Sequence, residues 1–178
     1  MNSLLGSKNL FFRRFFKVSL VFVFLLLSLF PLHLHAQSEK RPDIFIAPLV
    51  ETIGYSREGI AFGGGLIIGA GDDGFAIGLK LLYATDSESS NTLELNFFIR
   101  YYLLSPDDHS GLFLQLNGGP VVFNYEEAAG IPSETSNISF GFTVGWRFPF
   151  GEHLFVEPAI RCGYPYILGA GVSAGFRL

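Results

Sequence analysis

The chain has 178 residues, 49% of them apolar and only 16% charged, against roughly 25% charged in ordinary soluble domains, and its length fits a single domain. The formal net charge is −4, but it is unevenly placed: all 16 acidic residues lie at Glu39 or beyond, while Lys8, Arg13, Arg14 and Lys17 precede Val18. An acidic remainder excludes a nucleic-acid binder, which needs a basic footprint.

Residues 1–36 read as a signal peptide. A basic stretch ends at Lys17, an unbroken run of apolar residues and Ser covers 18–30, Pro31 breaks it, and Leu34-His35-Ala36 offers a cleavage site with a small last residue. The alternative is a retained anchor. The run falls short of the about 20 residues that a spanning helix needs, and extending it back to Leu10 would bury Arg13, Arg14 and Lys17. A cut near Ala36 leaves 8 Lys and Arg against 16 Asp and Glu. Residues 37–42 form a short polar lead-in to the body of the chain, 43–178. The lone Cys162 permits no internal disulfide, and no apolar run of helical-span length follows Phe30, so a membrane crossing by the mature chain would have to use strands.

From residue 43 onward apolar residues recur at every second position, the strand period. Eight strands are predicted, over 43–51, 59–70, 75–85, 92–103, 111–124, 138–148, 154–163 and 169–178. The sixth sets Ile138, Phe140, Phe142, Val144, Trp146 and Phe148 against Ser139, Gly141, Thr143, Gly145 and Arg147; the fourth sets Leu93, Leu95, Phe97, Ile99, Tyr101 and Leu103 against Glu94, Asn96, Phe98, Arg100 and Tyr102. The first strand is the weakest, because Phe45, Ala47 and Leu49 make both its faces apolar. Gly71-Asp72-Asp73-Gly74, 105–110 and 149–153 read as short turns. The connections 52–58, 86–91, 125–137 and 164–168 lie at the opposite end. An even strand count with both termini periplasmic makes those four extracellular, following the short-turn, long-loop asymmetry of outer-membrane barrels.

Alternation alone also fits a soluble barrel or sandwich, so the chemistry of the two faces decides. In strands two to eight one face carries no Asp, Glu, Lys or Arg. The other is mostly small, with Gly63, Gly65, Gly69, Gly78, Gly119, Gly141, Gly145, Gly169, Gly171 and Gly175. Glycine on a solvent face would weaken strands for no return, whereas an eight-stranded barrel has an interior just wide enough for side chains to fill. The larger residues of that face are Lys80, Glu94, Asn96, Arg100, Gln115, Asn117, Arg147, Glu157, Arg161 and Arg177, with Glu51 a further candidate. Enclosed charges must be paired, so they are expected to form an interior polar network, with Glu157 held by Arg147 and Arg177 on the flanking strands. Solvated surface charges are the plainer alternative. Tyr101, Trp146, Phe148 and Phe176 fall at periplasmic strand ends, and Tyr83, Phe123, Tyr125 and Tyr164 at extracellular ends, the two levels at which interfacial aromatics belong.

The chain thus resembles the OmpA/OmpX-type family of small eight-stranded outer-membrane barrels. The ending Gly171-Val172-Ser173-Ala174-Gly175-Phe176-Arg177-Leu178 is similar to the terminal signal read by the barrel-assembly machinery, although it closes on Leu178 where an aromatic is usual. The resemblance implies an all-β, eight-stranded antiparallel up-and-down transmembrane β-barrel in the outer membrane of a Gram-negative-type envelope, inserted by that machinery and surrounded by lipopolysaccharide or equivalent outer-leaflet lipid.

A structural or surface-interaction role without enzyme activity follows, with a polar, largely plugged interior; a small-conductance pore is a variant of it. Any surface specificity would sit in the loops. The longest carries Glu126, Glu127 and Glu134, the second Asp86 and Glu88, and neither contains Lys or Arg. Bridging by cations to lipid phosphates, or a basic partner, is the functional reading; a simply solvated loop is the plainer one. The first alternative function is a lipid A-modifying barrel enzyme, which needs a base within reach of its nucleophile. The mature chain offers only His109 and His153, both in predicted periplasmic turns, with Ser110 beside the first. The second is a soluble periplasmic ligand-binding β-barrel. No cofactor is expected, no spaced Cys/His set suggests zinc, Gly63-Gly64-Gly65 lacks the Lys of a phosphate loop, and Asp72-Asp73 and Asp107-Asp108 are turn formers before they are metal ligands.

Overall fold

A computed structural model describes residues 42–55, 59–72, 74–86, 90–104, 109–126 and 132–178; for 125, 126 and 132–134 the description is of backbone only. The predicted signal peptide and most of the lead-in lie outside these residues. Eight strands are present: β1 (Asp43–Tyr55), β2 (Gly59–Asp72), β3 (Phe75–Asp86), β4 (Asn91–Tyr102), β5 (Gly111–Glu126), β6 (Pro132–Phe150), β7 (Leu154–Tyr164) and β8 (Tyr166–Arg177). Each pairs antiparallel with its sequence neighbour, and β1 pairs with β8, so the sheet closes into an up-and-down barrel. The start of β1 and the end of β8 lie at the same end of the barrel.

The strands run longer than the apolar alternation predicts. β1 continues to Tyr55, which pairs with Gly59 of β2. The expected 125–137 loop is mostly strand: Asn124 faces Glu134, Tyr125 faces Ser133 and Glu126 faces Pro132. Glu126 and Glu134 therefore belong to a β-ribbon at the tip of the β5–β6 hairpin, and Glu127 lies outside the described residues. The reason is physical. Side chains decide which face of a strand is apolar, but the ladder needs only backbone groups, and it continues into polar sequence beyond the apolar belt. The last connection is likewise shorter than expected, with Pro165 alone between β7 and β8 after a cis peptide bond. At the other end Gly74 and Gly151 close their turns at φ +80° and +72°, where a Cβ would be strained.

The two faces are inverted relative to a soluble barrel. The outward face exposes Val50, Phe62, Leu116, Phe140 and Ile167, and Ile138 is 70% exposed. Glu94, Arg100 and Glu157 face inward at 2% or less. Phe45, Ala47 and Leu49 are buried, which settles the ambiguous first strand with these residues inside. Phe123, expected among the outward aromatics, also turns inward and sits edge-on to Tyr55 at 5.4 Å.

Four of the interior rings fit because glycines stand opposite them. Phe45 pairs with Gly69, Phe98 with Gly78, Phe113 with Gly145 and Phe155 with Gly175. A Cβ at any of these glycines would collide with the facing ring. Each ring occupies the space that a side chain at the facing position would fill, so a narrow lumen holds these four Phe without expanding.

Three mid-strand prolines interrupt the ladder. The β1–β8 pairing lapses between Ile46↔Phe176 and Leu49↔Ser173, the β4–β5 pairing between Glu94↔Val121 and Phe97↔Gly118, and the β6–β7 pairing between Gly145↔Ala159 and Phe148↔Val156. Pro48, Pro120 and Pro158 sit in these lapses, and each remains paired on its other side, with Leu66, Ile138 and Val172. The missing proline N–H thus faces the lapsed neighbour.

Gly145→Val should destabilise the barrel by about 1–3 kcal/mol through overpacking, because its side chain enters the space of the Phe113 ring. Combining it with Phe113→Leu should recover part of the loss. The urea midpoint of the folded fraction, read on unheated gels, measures both effects; equal loss in the single and double variants would refute the ring–glycine fit.

Candidate functional site

The candidate site is the barrel lumen, and its side chains follow from strand parity. Residues two apart on one strand share a face, so Glu94, Asn96, Phe98, Arg100 and Tyr102 all enter from β4, and Gln115 and Asn117 from β5. They form two ionic clusters and a rim.

In the cluster nearer the loop end, Glu51 of β1 accepts from Lys80 of β3 and Arg161 of β7. Arg161 also meets Glu94 of β4, with Nη2–Oε2 at 2.9 Å. In the cluster nearer the termini, Glu157 of β7 accepts from Arg100 Nη1 at 2.6 Å and from Arg147 Nε at 2.5 Å, and Ser173 Oγ lies 3.3 Å away. Arg100 Nε donates to Gln115 Oε1 at 2.8 Å and its Nη1 to the Tyr102 hydroxyl at 3.1 Å. The chain continues from Gln115 to Asn117 Oδ1 at 2.5 Å and from Asn117 Nδ2 to Thr143 Oγ1 at 2.8 Å.

Lys80, Arg100, Arg147 and Arg161 outnumber Glu51, Glu94 and Glu157 by one in this lumen. The surplus is met by aromatic faces. Arg100 lies 4.0 Å from the Phe113 centroid, Arg147 3.9 Å from Phe155, and Arg161 3.8 Å from Tyr166. Cation–π contacts of this kind strengthen when desolvated, to about 2 kcal/mol or more. The space left between Glu51, Lys80, Arg100, Glu157 and Arg161 is a cavity of about 40 Å³, enough for a very few water molecules.

Arg177 departs from expectation. It does not reach Glu157. Its Nη1 lies 3.2 Å from Asp43 Oδ2 at the terminal rim, where its side chain is 21% exposed. It is the last residue before Leu178 and stands below the Glu157 level, so Arg100 from across the lumen takes the second place on that carboxylate. Asp43 also meets His109 Nδ1 at 3.2 Å. His109 is buried, sits edge-on to Tyr102 at 5.2 Å, and adopts φ 44°. Burial lowers its pKa, and the nearby Asp43 only partly opposes this. Tyr102 is buried on the face where the β4 alternation puts it, whereas His109 and Asp43 are lumen residues that the sequence reading misses, although Asp43 shares the inward parity of Phe45.

Side chains also span two of the three ladder lapses. In the β6–β7 gap the residues that would pair are Arg147 and Glu157, and their ion pair joins the strands instead. In the β4–β5 gap Ser139 Oγ lies 2.6 Å from Asn96 Oδ1 and 2.9 Å from the Gly119 carbonyl. In the β1–β8 gap the inward residues are Ala47 and Gly175, whose side chains have no polar atom.

Tyr83, Tyr101, Trp146, Phe148, Tyr164 and Phe176 all lie exposed on the outer face. Trp146 stacks on Phe148 at 6.0 Å, Tyr164 on Phe140 at 5.7 Å, and Tyr83 donates to Asn91 Oδ1 at 2.8 Å. His153 meets the Arg177 carbonyl at 3.2 Å; among the described residues neither this histidine nor His109 is hydrogen-bonded to a serine. No group of three or more His, Cys, Asp or Glu among the described residues could hold a metal ion.

No family model and no curated protein matches the chain. Solved structures do. The N-terminal β-barrel domain of Pseudomonas aeruginosa OprF is 16% identical, with a TM-score of 0.56 over 78% of this chain and 100% of that one. Neisserial surface protein A (NspA) is 13% identical, with a TM-score of 0.54 over 77% and 96%. The outer membrane protein OprG from Pseudomonas aeruginosa is 9% identical, with a TM-score of 0.51 over 78% and 97%. The chain therefore has the fold of the small eight-stranded outer-membrane barrels.

Glu157→Ala should cost about 3–5 kcal/mol, because it leaves Arg100 and Arg147 buried without their counter-ion. Arg177→Ala at the part-exposed rim should cost less than about 1 kcal/mol. Urea unfolding of the two variants in the same detergent compares them; equal losses would contradict the assignment of Arg100, rather than Arg177, to the Glu157 cluster.

Proposed function

We propose that the mature chain, exported by a cleaved signal peptide at 1–36, is a bacterial outer-membrane barrel with a structural or surface-interaction role and no enzymatic one. The observation that carries this reading is the inversion of the two faces: large apolar side chains exposed all round, and seven ionic groups enclosed. A lipid exterior turns that apolar surface from a liability into the stable arrangement, since contiguous exposed apolar patches are rare on soluble monomers. The same observation argues against a soluble periplasmic ligand-binding barrel. Its assembly partner would be the barrel-assembly machinery, and its surroundings outer-membrane lipids including lipopolysaccharide or an equivalent.

The lumen supports a plugged interior rather than an open channel. Two ionic clusters and the inward rings fill it, and a cavity of about 40 Å³ has no room for a hydrated ion to pass. A lipid-modifying activity finds little support: the His109 ring is engaged with Asp43, and both histidines lie at the terminal end, which this orientation makes periplasmic, away from the outer leaflet.

Fractionation should bring the mature chain down with outer membranes, and the unheated protein should migrate anomalously on gels until boiled. In planar bilayers it should give at most brief, small conductance steps. Recovery in the soluble periplasmic fraction would overturn the membrane reading; large, stable conductance would overturn the plug.

A further inference from the structure

The imbalance among the enclosed charges of the lumen has a definite place. The cavity of about 40 Å³ between the two ionic clusters is lined by Lys80, Arg100 and Arg161 against Glu51 and Glu157. Its wall therefore carries the surplus of one positive charge, while Arg147 and Glu94, which do not line it, balance one another. An enclosed charge without a counter-charge is costly. Aromatic faces attract the guanidinium groups but bring no negative charge, and they lie over Arg100, Arg147 and Arg161. Among the described residues no ring lies over Lys80. Its ammonium has three donors. One meets Glu51, a carboxylate shared with Arg161, and the other two meet no acceptor among the described residues. On the same cavity wall, Thr143 Oγ1 accepts from Asn117 and keeps its own hydroxyl proton to donate.

We propose that this cavity binds one monovalent anion of halide size, held by the Lys80 ammonium and the Thr143 hydroxyl. The anion brings the enclosed charge of the lumen to zero. The site needs only a closed lumen, so it stands apart from the outer-membrane reading above. Charge selects the ligand class. Water fits the same space but leaves the surplus uncompensated, and a divalent anion overshoots it and leaves the lumen negative. Chloride must shed its hydration shell to enter. The enclosed ammonium offsets that cost, because attraction between opposite charges strengthens as the local dielectric falls. No polar path crosses the plug, so the lumen closes around the ion as the strands pair, and anion binding becomes part of the folding equilibrium.

The test is urea unfolding of the full mature chain in an uncharged detergent, with sodium gluconate replaced stepwise by sodium chloride at constant ionic strength. The wild-type midpoint is expected to rise with chloride. Above half-saturation of one site, each tenfold increase in chloride multiplies the folding constant about tenfold. Lys80→Met leaves three cations facing three carboxylates, and its midpoint should not respond to chloride. Arg57→Ser, which removes a cation of the β1–β2 connection, should keep the wild-type response. A wild-type midpoint indifferent to chloride, the result of water alone or of an uncharged Lys80, overturns the site. An equal response in all three chains is a general salt effect and overturns it too. If Lys80→Met does not fold, crystals of the wild type grown in bromide decide. An anomalous peak within hydrogen-bond reach of Lys80 Nζ supports the site, and a lumen without one overturns it.

Discussion

Glu51, Glu94 and Glu157 stand where solvent does not reach, and the rest of the barrel is arranged so that each remains paired. A carboxylate enclosed without a partner carries a desolvation penalty of several kcal/mol, more than a typical domain can lose without consequence. Local pairing, as between Arg147 and Glu157 on adjacent strands, does not suffice. Glu51 on β1 draws Lys80 from β3 and Arg161 from β7, and Glu157 on β7 draws Arg100 from across the lumen on β4. These pairs tie together strands that share no ladder. The barrel is hydrogen-bonded around its circumference and ion-paired across its diameter, two independent restraints on the same eight strands.

The glycines make that possible. Long Arg side chains and four Phe rings occupy one narrow lumen only because the residue facing each ring has no side chain. The rings in turn lie beneath the guanidinium groups, so glycine, aromatic and cation stack in layers from wall to axis. The surplus positive charge among the lumen ions is held by this layering, not by another carboxylate. The ionic face has a second consequence, which bears on the proposed export: it interrupts every apolar run of the strands before it reaches the roughly 20 residues that make a spanning helix.

Much of this was legible in the sequence, because a barrel strand has a period of two and parity assigns each residue a face. Strand number, the inward set from Lys80 to Arg161 and the outward Trp146, Phe148 and Tyr164 all follow from parity alone. Parity does not give depth or partner. Arg177 shares a face with Glu157, yet it sits at the rim with Asp43, since reach across a lumen depends on the stagger of strands from opposite walls. Phe123 shares the odd parity of Gln115 and Asn117, so alternation puts it inside; grouping it with the outward aromatics by its place at a strand end overrides the better guide. The polar sequence around Glu126 and Glu134 ends the apolar pattern and predicts a loop, while the backbone ladder is indifferent to side-chain polarity and continues through both.

The prolines bring these threads together. Each removes a donor where the proposed surroundings contain no water, and an unmatched backbone group in hydrocarbon is costly. A strand flanked on both sides by partners can absorb that loss if something else holds the neighbours in register. At Pro158 the Arg147–Glu157 pair does so directly beneath the gap, and at Pro120 the Ser139 hydroxyl does so between Asn96 and Gly119. At Pro48 the positions beneath are Ala47 and Gly175, fixed as small by the Phe155 ring that Gly175 must accommodate. The same packing rule that lets rings fill the lumen leaves the lapse between the first and last strands without an inner polar brace, the one such lapse among the three proline gaps of the described strands.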